Sequence, residues 1–164
     1  MSSVKRTPGE GQKDLNKMIA GLDKKHVGKA GWFEGMKYVD GQSVALVAQQ
    51  NEFGNPAKNI PPRPFMRPTL TEKEALLRKI ADSEIRKMAK GKSTWDESVF
   101  IISAKFVGEV KKKITEIMSP PLKASTIAAR LRKRKDKVTV GKLDKPLVDT
   151  GIMLNSMTNK VENE

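Results

Sequence analysis

The chain has 164 residues, with 32 Lys or Arg against 19 Asp or Glu, a formal net charge of +13, and only 37% apolar and 5% aromatic residues. That length suits one domain with a thin core. The lack of cysteine excludes a disulfide framework, a thiolate metal site, an iron–sulfur cluster and a cysteine nucleophile. No apolar run approaches the roughly 18 residues of a membrane span, and Met1 to Asp14 lacks the apolar stretch of a secretory signal. A soluble, intracellularly made protein is expected. Its charge suits a polyanion, an acidic protein surface, or simple solubility.

Residues 1–13, with Pro8, Gly9 and Gly11, read as a mobile arm. Residues 14–161 read as a single α+β domain. Leu15, Met18, Ile19 and Leu22 recur at helical spacing and predict a short amphipathic helix. Between His26 and Asp40 the helical period disappears. Val27, Trp32, Phe33, Tyr38 and Val39 favour strands, and Glu34-Gly35 offers a turn, so a hairpin is expected there. Its glycines suggest close backbone approach or a bulge. Ser43 is placed to cap a helix through Val44, Leu46, Val47 and Ala48, which Gly54 ends.

Residues 55–68 hold five prolines in fourteen positions. Proline fixes φ and removes a donor, so this segment reads as an extended arm. Its apolar teeth are Ile60, Phe65 and Met66, and they suit a surface of its own domain or of a neighbour. Two long helices follow. Thr71 with Glu74 and Thr94 with Glu97 form capping-box patterns. Leu77, Ile80, Ala81 and Met88 mark the inner face of the first helix, which Gly91 ends. Val99, Ile102, Phe106, Val110, Ile114 and Ile117 mark that of the second, expected over 95–118 until Ser119-Pro120-Pro121 stops it.

A shorter helix is expected from Leu122 to Lys135, with Ile127 and Leu131 inward and Arg130, Arg132, Lys133, Arg134 and Lys135 outward. Residues 133–146 form a basic loop region. Asp149 or Thr150 is placed to cap a last helical turn, and 157–161 suits an edge strand. The predicted fold is therefore a small antiparallel sheet packed on two long helices, with an extended proline-rich arm.

Most catalytic patterns are absent. His26 is the one histidine, read as structural or exposed, and no HExxH, GxGxxG or GxxxxGK[ST] pattern occurs. Leu147-Val148-Asp149-Thr150-Gly151 looks like an aspartic-protease fragment, but its helical context favours a cap. No metal or cofactor is expected. Arg130 to Lys137 contains six basic residues in eight, with no aromatic to stack bases. Arg130, Arg132, Lys133 and Arg134 suit contact with phosphates or with acidic protein, or a merely solvated face.

Asn51-Glu52-Phe53-Gly54 and then Ile60-Pro61-Pro62-Arg63-Pro64-Phe65-Met66-Arg67-Pro68 resemble the "EFG … IPARPFLRP" signature of small neck or tail-completion proteins of long-tailed bacteriophages. Pro121-Leu122, Ser125-Thr126 and Arg130, then Pro146-Leu147-Val148-Asp149-Thr150-Gly151 through Ser156, resemble the "PL…ST…R" and "PLxDTGxLxxS" segments of virion-morphogenesis proteins of Mu-type phages. The two blocks stand in the family's order across roughly 43–161. Glu52, Phe53, Gly54, Asp149, Thr150 and Gly151 carry the motifs. The insertion Lys133 to Lys145 is longer and more basic than the pattern, and Met153 and Leu154 share the place of its leucine.

The resemblance implies a non-catalytic virion protein at the head–tail junction, assembled in the host cytoplasm. It implies a ring, hexameric or dodecameric, between a connector or head-closure ring and the tail tube or tail terminator. DNA would pass through the lumen with weak non-specific contact at most, and no membrane is involved. On that reading Arg63, Pro64, Phe65, Met66 and Arg67 form an arm onto the adjacent subunit, with Phe65 and Met66 as anchor. The basic residues dock on a neighbouring ring. The alternative class is a basic nucleic-acid-binding protein of DNA packaging or nucleoid type.

Overall fold

The structure is a computed structural model that describes residues 9–135 and 143–163. Among the described residues it is α+β, with six helices and a small two-stranded antiparallel sheet packed against the two long ones. The elements in order are α1 (Glu10–Ala20), β1 (His26–Gly31), α2 (Val44–Phe53), α3 (Met66–Ala89), α4 (Trp95–Glu116), α5 (Ala124–Lys135), α6 (Ile152–Ser156) and β2 (Thr158–Asn163). The sequence reads as one domain; the chain packs as two compact units, and α3 and α4 contribute to both.

The first unit takes 9–29, 74–105 and 159–163 of the described residues. Its first helix begins at Glu10, so the expected arm of 1–13 ends in helix; residues 1–8 lie outside the described residues. The indole N–H of Trp95 donates to the carbonyl of Met18 at 2.9 Å. Gly21 faces the same ring so closely that an added Cβ would fall 2.1 Å from it. His26 stacks on Trp95 and sets its two ring nitrogens against Asp96, at 2.7 Å, and the carbonyl of Gly21, at 3.1 Å, so it is structural. The Thr94–Glu97 capping box forms as expected. The N–H of Thr94 donates to Glu97 at 2.9 Å, and the N–H of Glu97 to Thr94 Oγ1 at 3.3 Å. α3 stops at Ala89, and Gly91 turns away from it with φ +66°.

The hairpin expected over 26–40 is not formed. β1 pairs with β2, about the expected C-terminal strand, and 32–40 is turns and one isolated bridge, Lys37 with Ser43. Hairpin pairing needs a continuous run on both sides of the turn, and the second run fails: Val39 is 99% exposed. The sheet lies close on α4, since an added Cβ at Gly28 would meet Val99 at 2.8 Å. Asn159 donates to the carbonyl of Phe100 at 3.2 Å and to Ser103 at 2.9 Å.

The second unit takes 30–73 and 106–158. It holds a hydrophobic cluster of Val44, Ala48, Phe65, Val107, Val110, Ile114, Leu147, Met153 and Met157, with Phe106 and Ile117 packed against it. Of the long-helix face read from the sequence, Val110 and Ile114 are in this core with Phe106 and Ile117 beside it, whereas Val99 and Ile102 are half-buried in the first unit and outside it. Ser43 caps α2 as expected, accepting from the N–H of Leu46 at 3.5 Å.

Candidate functional site

The sequence motifs converge in the second unit, where they act first as joints. α2 ends at Phe53, and Gly54 follows at φ +79°. A Cβ on Gly54 would fall 3.0 Å from Pro62 and 3.1 Å from the carbonyl of Ile60, so glycine is required by both conformation and space. The proline-rich segment then folds on itself. Asn55 and Ile60 exchange both backbone hydrogen bonds, at 2.8 and 3.0 Å, around a single 3-10 turn over Pro56–Lys58. The N–H of Arg63 returns to the carbonyl of Asn51 at 2.7 Å.

That return corrects the reading of 55–68 as extended throughout, and of the two surfaces it was expected to suit, it packs on that of its own unit. Only 61–65 lies outside any helix, turn or bridge, and α3 begins at Met66. Phe65 is fully buried in its own unit, edge-to-face with Trp32 at 5.8 Å, and is not available to anchor on a neighbour. Met66 packs against the same core. Arg63 is buried, donating from Nε to the carbonyl of Pro120 at 2.7 Å and from Nη2 to that of Pro121 at 3.1 Å. Desolvation, then the charge of Arg130, lowers its pKa, yet a guanidinium stays charged at neutral pH. Pro64 is half-buried between these two anchored residues. The reason is physical: although the segment carries Lys58, Arg63 and Arg67 and no acid, its apolar teeth lower the free energy most by filling the core beside them.

Glu52 is the pivot. Its carboxylate accepts from the backbone N–H groups of Phe65 at 2.6 Å, Met66 at 2.9 Å and Arg67 at 3.1 Å, and from Arg67 Nε at 3.1 Å. It thereby caps α3 from another helix, taking donors that a helix start leaves unpaired. Pro68 has no N–H to satisfy in that first turn. Burial pushes the Glu52 carboxyl up, but the three N–H groups and Arg67 together outweigh it and hold the pKa below the ordinary value. Arg67 also lies over the ring of Phe53 at 4.6 Å. The expected capping box at Thr71 is therefore not the start of α3; Thr71 sits inside the helix and donates back to the carbonyl of Arg67 at 3.3 Å.

The C-terminal motif is a second joint. Arg130, expected outward on a docking patch, is 7% exposed. It donates to the carbonyls of Leu143 at 3.4 Å, Lys145 at 2.5 Å, Val148 at 3.4 Å and Pro146 at 3.1 Å, and its Nε lies 3.6 Å from Asp149. Asp149 thus holds Arg130 rather than capping α6. Thr150 Oγ1 accepts from the N–H of Ile152 at 3.4 Å, and Gly151, at φ +78°, is the residue before the helix. A signal for Arg130 existed: it stands three residues after the inward Ile127, on the inner side of the helix. Arg132 is exposed. The side chains of Lys133 and Arg134, and residues 136–142 of the basic loop, lie outside the described residues.

A cavity of about 280 Å³ opens beside this joint, lined by Tyr38, Asp40, Asn51, Arg130, Asp149 and Thr150 among others. Burial, then Asp149 and Asp40, raises the pKa of Tyr38, so it stays a neutral phenol. Arg130 is committed to five oxygens of its own chain. Among the described residues no cluster of three or more His, Asp or Glu is placed to hold a metal ion, and no helix is long and apolar enough to cross a membrane. Comparison with family models, with curated proteins and with solved structures finds no match to this chain.

Proposed function

We propose that the chain is a structural subunit of the head–tail junction of a long-tailed bacteriophage, a neck or tail-completion component without catalytic activity. It joins other copies in a ring between the connector or head-closure ring and the tail tube or tail terminator, and DNA passes through the lumen. The observation that carries this reading is the joining of the two motif blocks. Arg63 of the first block donates to the carbonyls of Pro120 and Pro121, where the second begins. Trp32, packed on Phe65, donates to the carbonyl of Met153 at 2.7 Å. Residues 57 to 121 positions apart therefore serve one structural purpose, as a family signature should. The polar motif residues are spent on backbone carbonyls and N–H groups, which suits a scaffold more than a reaction centre.

Labelling tests the proposal. Virions grown with an affinity-tagged chain should bind gold-conjugated tag reagent at the head–tail junction in electron micrographs. Label on the capsid interior with the DNA, or recovery of the chain on duplex DNA with an affinity that falls steeply with salt, would replace the proposal with the nucleic-acid-binding reading.

A further inference from the structure

α1 buries none of its side chains, so apolar packing does little to hold it. Its attachment is polar and gathered at one point. The carbonyl of Met18 accepts from the Trp95 indole N–H at 2.9 Å, and Gly21, just past the helix, lies against the same ring. His26, at the start of β1, stacks on Trp95 with ring centroids 5.8 Å apart and planes 12° apart. It ties the carbonyl of Gly21 to Asp96 of α4.

The two ring nitrogens decide the charge of this tie. Nδ1 lies 2.7 Å from Asp96 Oδ1, and Nε2 lies 3.1 Å from the Gly21 carbonyl. Neither partner has a proton to donate. One is a carbonyl; the other is a carboxylate whose pKa lies below the ordinary value, chiefly through the bond to His26. A neutral imidazole carries one N–H and would set its second nitrogen, lone pair first, against an oxygen. The doubly protonated ring donates to both. The side chain is 10% exposed, which leaves water little room to replace either partner.

The groups around the ring are consistent with a cation. Asp96 faces it from α4, and α1 with its turn presents the Gly21 carbonyl. β2 brings Asn163, an uncharged donor to Asp96. Glu162 of β2 is taken by Lys29 and Lys160. Lys24 and Lys25 are the neighbouring cations along the chain, and Lys24 acts on Asp96.

We infer that His26 is an imidazolium latch: its second proton fastens α1, through Gly21, to α4, and loss of that proton releases the helix. The folded chain thus keeps a proton that the unfolded chain gives up above about pH 6.5, the ordinary value of a histidine. The latch is complete in weakly acid solution and fails as the pH rises. Residues 9–21 then open ahead of the rest of the molecule. The inference is independent of the proposed function and is read on the isolated full chain.

His26 is the one histidine of the sequence, so nitrogen-15 labelling of histidine gives the spectrum of this ring alone. At pH 7.5 a free imidazole is about nine-tenths neutral. The folded chain should instead show both ring nitrogens protonated in more than half of the molecules. Hydrogen–deuterium exchange, corrected for the chemical rate at each pH, follows the helix. Protection of 10–20 should fall at least about tenfold between pH 6 and pH 9, with a smaller change over 106–116 of α4. His26→Phe keeps the stacking and removes both N–H groups, so its α1 should be as weakly protected at pH 6 as that of the wild type at pH 9. A neutral ring at pH 7.5 in the folded wild type would overturn the inference. So would equal α1 protection at the two pH values, an equal fall over 106–116, or full α1 protection in folded His26→Phe.

Discussion

Glu52 is the lone charged residue of α2 and stands in its last turn, where the helix dipole disfavours a negative charge. Its three backbone donors at the start of α3 explain that placement. Glu52→Ala strands those N–H groups and should cost about 3 kcal/mol in urea unfolding at neutral pH. Because the folded carboxyl has the lower pKa, its stabilisation is complete above the ordinary value of 4.5 and is lost as the pH falls through the folded value. Glu52→Gln should therefore be less stable at pH 7 and show a flatter stability profile below about 4.5; equal slopes would contradict the assignment. Arg130 is the other decisive residue. Arg130→Met removes the donor to four carbonyls and the cation beside Asp149 and should destabilise by about 3–5 kcal/mol. Arg132→Gln, on the exposed side of the same helix, should stay within about 0.5 kcal/mol of wild type. Equal effects would mean that Arg130 is an ordinary surface cation.

At the scale of elements, the signals that were legible were local. Ser43, Gly54, the Thr94–Glu97 box and the apolar spacing of α4 act within one turn of the residues they govern, and each appears where its chemistry requires. What was not legible depended on distant partners. β1 pairs with a strand more than 120 residues later, so nothing near Trp32 or Val39 could reveal that the local hairpin would lose. The start of α3 is set by Glu52, and the Thr71 pattern within its own sequence pointed five residues too late. The proline-rich segment was legible as a break between helices, although Pro56–Lys58 forms a 3-10 turn and Met66 to Pro68 already belong to α3, and its destination was not legible, because Phe65 suits any apolar pocket. Its burial makes a clear prediction. Phe65→Ala should lower stability by about 3–5 kcal/mol through cavity formation. A variant of unchanged stability that loses only assembly would restore the inter-subunit arm.

Across the whole molecule, apolar burial and charge are both unevenly shared. The hydrophobic cluster is drawn entirely from 30–73 and 106–158, and among the described residues large apolar side chains of both units face solvent, six in the first and seven in the second. A chain of +13 with so thin a core is economical only if neighbours complete it, which a ring at the head–tail junction would provide. The central claim is tested most directly by deleting the encoding gene from its phage and counting particles by electron microscopy. The account predicts separate DNA-filled heads and finished tails, with joining restored when the purified chain is added to the lysate. Normal yields of joined, infectious virions without the chain would contradict it.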